Sequence, residues 1–212
     1  MESYKGMLYL IGAFSLAGSS VIAASLVNGR LGVFTITAVS LLLSMICLLP
    51  FQWKETMAAV RRLTAGEWML LACQALFGVF LFRLFLLYGL TFTSSAEAGI
   101  LTGATPALTV LLARLLLREK LESYKMAGIA CTVAGIILIQ GFLAPESLLS
   151  MAHLWGNALV LCAAASVASF NVLSRAAAVR SAASGKETVH PLTQTTLVSS
   201  IAFFSLRRSV LV

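Results

Sequence analysis

Residues 81–140 read LFRLFLLYGLTFTSSAEAGILTGATPALTVLLARLLLREKLESYKMAGIACTVAGIILIQ. The stretch runs apolar to Leu90, turns polar at Thr91–Ser95, and is apolar again to Leu117. A charged knot at Arg118, Glu119 and Lys120 comes next, and a further apolar run opens at Met126. A transmembrane helix needs about 20 mostly apolar residues to cross a ~30 Å hydrocarbon core. Runs of that length, parted by short polar turns, read as helices crossing a bilayer.

Working outward, the same reading gives spans over residues 7–27, 31–50, 68–90, 93–117, 126–143, 154–173 and, shorter and more polar, 191–206. Composition agrees. The 212 residues are 59% hydrophobic and only 11% charged, with mean hydropathy +0.96. A soluble domain carries roughly 45–50% apolar and about 25% charged residues, so lipid rather than water must cover most of this surface. The net charge of +7 belongs to loops near anionic lipid and implies no nucleic acid. Cys47, Cys73, Cys131 and Cys162 lie in apolar runs without metal-ligand spacing and are expected to be buried thiols. The first run is too long for a secretory signal, and more spans come after it.

Orientation follows from Lys and Arg. With a cytoplasmic N-terminus, the inside segments hold Lys5, Lys54, Arg61, Arg62, Arg114, Arg118, Lys120, Lys125, Arg175, Arg180 and Lys186, while the outside loops hold Arg30 alone. Arg207 and Arg208 would then lie outside. Leu10 and Gly12 near the start of the first run recur as Leu154 and Gly156 in the sixth, and Ala24-Ser25 recurs as Ala168-Ser169 at the same offset. An odd number of helices between two copies inverts the second, an architecture that recurs in secondary carriers.

Residues 81–140 resemble the third to fifth helices of EamA-like carriers in the drug/metabolite transporter superfamily. The matching positions are Gly89-Leu90 through Thr93-Ser94-Ser95-Ala96, then Pro106, Glu119, Gly128 and Gly135. Residues 168–175, ASFNVLSR, are similar to the opening helix of the family's second repeat. The resemblance implies ten helices in two inverted five-helix repeats with a substrate path between them. Here residues 1–143 correspond to one complete repeat and 154–212 to an incomplete second. The first helix has Ala17-Gly18 in place of the family's frequent Trp-Gly, and the second lacks its frequent Arg. The ending SLRRSVLV does not look like a family loop, so truncation or a frameshift near residue 206 is the expectation.

Arg83 and Glu97 are the intramembrane charges. Arg83 lies about eight residues, roughly 12 Å, from the outer turn, and a basic group in a span costs at least ~2.5–3.5 kcal/mol unless paired or wetted. Glu97 lies just past the same turn on the next helix. They are expected either as a static pair or as a polar site on the substrate path, with Glu97 exchanging a proton. Tyr88, Asn157 and Asn171 are further candidates for the path. The two asparagines, nearly four turns apart, share a helix face. Pro106 should kink its helix, Gly99 and Gly103 should permit close packing, and Trp155 should sit in an interfacial belt. Glu119, among Arg118, Lys120 and Lys125, reads as part of an interfacial ion-pair network.

His153 and His190 stand alone at run edges, and the sequence carries no Gly-rich phosphate loop, HExxH, CxxC or GxSxG. No cofactor or metal is expected, and an enzyme or sensor is the weaker alternative. The expected protein is all-α and multi-pass, in a bacterial inner membrane. It is a secondary transporter exporting small metabolites, amino acids or drug-like compounds by alternating access. A non-transporting fragment of such a carrier is the main alternative. A second copy of the chain is the partner that would complete a half-built path.

Overall fold

The computed structural model describes residues 2–27, 32–117, 123–143, 151–183 and 190–210. Those segments are helical apart from short turns, with no strand among the described residues. The first two spans become α1 (Glu2–Val27) and α2 (Val33–Arg62). The third is one rod built from α3 (Ala65–Ala75), a π-helical segment (Leu76–Leu81) and α4 (Phe82–Gly89). The fourth is split into α5 (Ser95–Thr102) and α6 (Thr105–Leu117). Single helices form the rest: α7 (Ser123–Leu143), α8 (Met151–Ala183) and α9 (Pro191–Val210).

Length and apolarity suffice for crossing a bilayer over Gly6–Ala23, Thr35–Arg62, Ala65–Gly89, Ser95–Leu117 and His153–Ser181. At 21 and 20 residues, α7 and α9 are each about 30 Å long and also match the hydrocarbon thickness. The outward faces carry Tyr4, Leu8, Leu16, Leu115 and Trp155 at 68–76% exposure. In water such a surface would aggregate; in lipid it is the solvated side. The chain is therefore an all-α integral membrane protein.

Packing centres on α8, which touches α3, the π-helical segment, α4, α5 and α6. Its Val160, Ala163, Ala164 and Ala168 are fully buried, and short side chains let neighbouring backbones approach. A second contact of similar extent joins α9 to α2 and α3, around Leu41, Leu71, Ala75, Leu197 and Ala202. The main contact of α1 is with α5, and α7 lies against α5 and α6.

Direction alternates from rod to rod. Thr193, at the start of α9, lies 3.0 Å from Gln52 and 3.3 Å from Glu55 near the end of α2. Asn157, near the start of α8, meets Thr93 in the turn between α4 and α5. Val21 of α1 clusters with Ala98, Leu101 and Val160, so α1 ends where α8 begins and the two run in opposite senses. Lys54, Arg61, Arg62, Arg114, Arg175 and Arg180 consequently gather at the end of the bundle opposite the α4–α5 turn.

Several local expectations change. Pro106 does more than kink a helix: the rod breaks at Gly103–Ala104, which places Pro106 in the first turn of α6, where a missing N–H costs nothing. The Thr102 carbonyl that residue 106 would have bonded accepts the Thr105 hydroxyl at 2.6 Å instead. Gly99 has open space where a Cβ would stand, and Gly103 meets only the Ile100 carbonyl of its own turn, so this pair packs no neighbouring helix. Close packing falls to Gly78, Gly89 and Gly156 instead. A Cβ on Gly78 would meet Phe170 at 2.6 Å, one on Gly89 would meet Val160 at 2.7 Å, and one on Gly156 would stand 3.0 Å from the Thr93 nitrogen. Cys47, Cys131 and Cys162 are exposed and Cys73 is half-buried; all four are free thiols. On a lipid-facing surface they remain apolar side chains in apolar surroundings.

Candidate functional site

Besides the Thr193–Gln52–Glu55 contact between α9 and α2, the described residues form two polar clusters, one towards each end of the bundle. The first forms where the α4–α5 turn meets α8. Ser94 caps α5 by accepting the Glu97 N–H at 3.2 Å, satisfying an otherwise orphaned helix-start donor. That cap fixes Glu97 in the first turn with its side chain inward, at 6% exposure. The Thr93 hydroxyl lies 2.7 Å from Glu97 Oε2 and 2.8 Å from Asn157 Oδ1. A hydroxyl has one proton, so it donates to the carboxylate and accepts from the Asn157 amide, whose N and O are interchangeable in placement. His153 Nδ1 stands 3.8 Å from the same carboxylate oxygen and has no hydrogen-bond partner. Thr93, Glu97, His153 and Asn157 thus join the α4–α5 turn to the start of α8 through one buried carboxylate.

Arg83 does not take part. Its Nη1 donates to Ser40 Oγ of α2 at 3.2 Å, and no carboxylate among the described residues lies within ion-pair distance. The expected Arg83–Glu97 pair is not made. Glu97 faces α8 and Arg83 faces α2, and a six-residue π-helical segment, whose turns are wider than those of an α-helix, precedes Arg83. Arg83 is half-buried with a single neutral partner.

Asn157 and Asn171 do share a face of α8, and both turn it towards the α5–α6 rod and its turn. Asn171 Nδ2 reaches Thr109 Oγ1 at 3.5 Å, a weak contact by distance, and the residue is exposed. Tyr88 is 50% exposed and stands apart from both clusters. Trp155, at 68% exposure, has the outward position expected of an interfacial residue. Gly128 and Gly135 have open space around them. Glu119, together with Arg118 and Lys120, lies outside the described residues.

The second cluster is at the end where the basic residues gather. Gln74 of α3 is fully buried, and its Oε1 accepts Gln194 Nε2 of α9 at 2.8 Å. Gln194 Nε2 also donates to Ser174 Oγ of α8 at 3.2 Å. Gln74 Nε2 has no partner, an omission that costs about 1–3 kcal/mol when the site is dry. Both glutamines line a cavity of about 370 Å³ between the start of α3, the end of α8 and the start of α9. Leu70, Leu71 and Ala177 form apolar wall, while Thr64, Gly66 and Arg180 at its rim are exposed. The α3 start is fixed by Glu67, whose carboxylate accepts the Thr64 N–H at 2.6 Å and the Thr64 hydroxyl at 2.7 Å.

Neither glutamine carried a signal in the sequence beyond being polar within an apolar run. His153 looked isolated because its partner Glu97 is on another helix. Among the described residues no group of His, Cys, Asp and Glu side chains suited to holding a metal occurs.

The EamA-like transporter family matches residues 4–141. The uncharacterized transporter YetK of Bacillus subtilis (strain 168) is 34% identical over 168 residues, covering 78% of this chain and 50% of that protein. YcxC of the same organism, also described as an uncharacterized transporter, is 34% identical over 95 residues, or 45% of this chain and 30% of that protein. The chain thus spans half or less of the length of these curated relatives. No solved structure matches significantly. With a family match across most of its length and transporters as relatives, this multi-pass membrane protein belongs to the EamA-like transporter family.

Proposed function

We propose that the chain forms the solute path of a secondary carrier that exports small metabolites, amino acids or drug-like compounds across a bacterial inner membrane by alternating access. The observation that carries this reading is the asymmetry of the bundle. At the α4–α5 end, Thr93, Glu97, His153 and Asn157 close the space between the fourth rod and α8. At the other end, a cavity with an exposed rim enters between α3, α8 and α9. Half-buried Arg83 lies between them along the third rod. Intramembrane ionisable groups in carriers are usually functional, and Arg83 and Glu97 each sit on rods that pack against α8.

Residues 1–143 serve as the first five-helix repeat and 154–212 as the opening of an inverted second. The opposite directions of α1 and α8 support that assignment. The end bearing Lys54, Arg61, Arg62, Arg114, Arg175 and Arg180 is the cytoplasmic one, with the N-terminus beside it. A full path draws on helices beyond these rods, from a longer chain or from a second copy.

Untargeted mass spectrometry of culture medium tests export. Cells producing the protein are compared with cells producing Arg83→Leu at equal membrane abundance. At least one small metabolite should accumulate outside with the parent and not with the variant. Identical media would count against a carrier.

A further inference from the structure

Arg83 is an intramembrane cation whose hydrogen-bonding capacity is mostly unused. A guanidinium carries five N–H donors in a planar fork and stays charged. One of them meets Ser40 Oγ of α2 at 3.2 Å. The Ser40 hydroxyl donates its own proton to the Ile36 carbonyl at 2.8 Å, so towards Arg83 it acts as an acceptor and brings no charge. The other N–H groups find no acceptor among the described residues. Nor are the nitrogens of Arg83 among the sealed side-chain atoms that lack a partner. Its free N–H groups are therefore within reach of a small molecule.

The described carboxylates do not fill this role. Glu55 is fifteen residues from Ser40 along α2, about 22 Å at the helical rise. Glu67 is sixteen residues from Arg83 along the third rod, about 24 Å by the same measure. Glu97 is turned to Thr93 beside α8.

Depth argues against a lipid phosphate. Ser40 is seven residues past the start of α2 at Val33, and Arg83 is six residues before the end of α4 at Gly89. The contact thus lies roughly 9–10 Å in from the ends of both helices. A helical side chain leans towards its own N-terminus, which carries Arg83 away from the nearer interface.

Charge and shape then narrow the choice. A lone cation among hydrocarbon is costly, and one negative charge at the fork offsets that cost. A dianion or a zwitterion would bring a second, unmatched charge. A carboxylate fits the planar fork through two parallel N–H···O bonds. Val79, one turn before Arg83, and Leu41, next to Ser40, belong to one apolar cluster, which suits an apolar body behind the carboxylate.

We infer that Arg83 is the recognition residue of a site for a small monocarboxylate, which docks on the free edge of the guanidinium where α4 meets α2. That this anion is the transported solute rests on the carrier reading above; that it binds does not.

The test is equilibrium binding to the whole chain in nanodiscs of neutral lipid, using butyrate, butyramide and butylammonium as probes of equal chain length. Saturation-transfer NMR titration reads each affinity. Butyrate should bind at least tenfold more tightly than either other probe. Arg83→Gln, which removes the charge, should weaken butyrate at least tenfold. Arg83→Lys, which keeps the charge and loses the fork, should weaken it at least threefold and keeps the test decisive if the neutral variant does not fold. Replacing about a third of the lipid by phosphatidylglycerol, in high salt to screen the surface, should shift the affinity less than threefold. A tenfold loss there would give the guanidinium to a lipid phosphate and overturn the inference. So would absence of butyrate binding, equal binding of butyramide, or unchanged affinity in a folded variant. A chain that binds butyrate as described yet exports nothing would defeat the carrier reading and leave the site standing.

Discussion

The Thr93 nitrogen passes 3.0 Å from where a Cβ on Gly156 would stand, and this approach sets the Thr93 hydroxyl against Asn157, one residue further along α8. The obstructing atoms are backbone and the Cβ of Phe92, which cannot swing aside. Gly156→Ala should therefore destabilise the protein by about 1–3 kcal/mol, the range for overpacking. Gly128→Ala, where a Cβ meets nothing, should be neutral or stabilising by up to ~1 kcal/mol through helix propensity. Thermal unfolding in one detergent compares the two.

Thr93→Val keeps the shape of the buried side chain and removes the hydroxyl shared by Glu97 and Asn157. Both are left short of a partner, at a cost of about 1–3 kcal/mol. Thr91→Val, on an exposed turn residue whose hydroxyl bonds only the Tyr88 carbonyl, should change the midpoint much less. A Thr93→Val protein as stable as the parent would show that the shared hydroxyl does not hold the turn to α8.

Arg83 separates stability from function. Its polar partner is the neutral Ser40 hydroxyl, so Arg83→Leu strands no buried carboxylate, unlike the breaking of a buried ion pair. Unfolding should occur at the same temperature or higher, since a costly intramembrane charge is gone, while export is lost. Lost folding with Arg83→Leu would instead mark the residue as structural.

Much of this fold could be read in advance. Apolar run lengths located all seven rods, although α2 and α8 run on past Pro50 and Leu173 to Arg62 and Ala183; Pro106 marked the region where the fourth rod breaks, and the spacing of Asn157 and Asn171 placed both on one face of α8. Details that depend on a partner could not be read. A span that is apolar all round has no periodic stripe to say which face meets which neighbour. Gly99 and Gly103 therefore looked like a packing pair, whereas Gly78, Gly89 and Gly156 make the close approaches. The π-helical segment at Leu76–Leu81 has no pattern of its own, and it accompanies the turn of Arg83 towards Ser40 rather than Glu97. The Gln74–Gln194 pair joins residues far apart in the chain, a distance over which local spacing is silent.

Pro106→Ala should leave the break in the fourth rod intact. Pro106 lies in the first turn of α6, and the Thr102 carbonyl already accepts the Thr105 hydroxyl. A change within about 1 kcal/mol is expected, against the ~3 kcal/mol of a proline inside a helix. Thr105→Val, which removes that acceptance, should cost about 0.5–1.5 kcal/mol. A large gain from Pro106→Ala would show that the proline, and not the Gly103–Ala104 turn, enforces the break.

Side-specific thiol labelling tests whether the bundle is sealed at the α4–α5 end and open at the basic end, and whether that basic end faces the cytoplasm. Cys47, Cys73, Cys131 and Cys162 are first replaced by alanine, and single cysteines are then placed at Thr91, Asn157 and Ala177. A membrane-impermeant maleimide is applied to intact cells and to inside-out vesicles. Thr91→Cys should react in cells, Ala177→Cys should react only in inside-out vesicles, and Asn157→Cys should be protected in both. Labelling of Ala177→Cys in intact cells would contradict that arrangement.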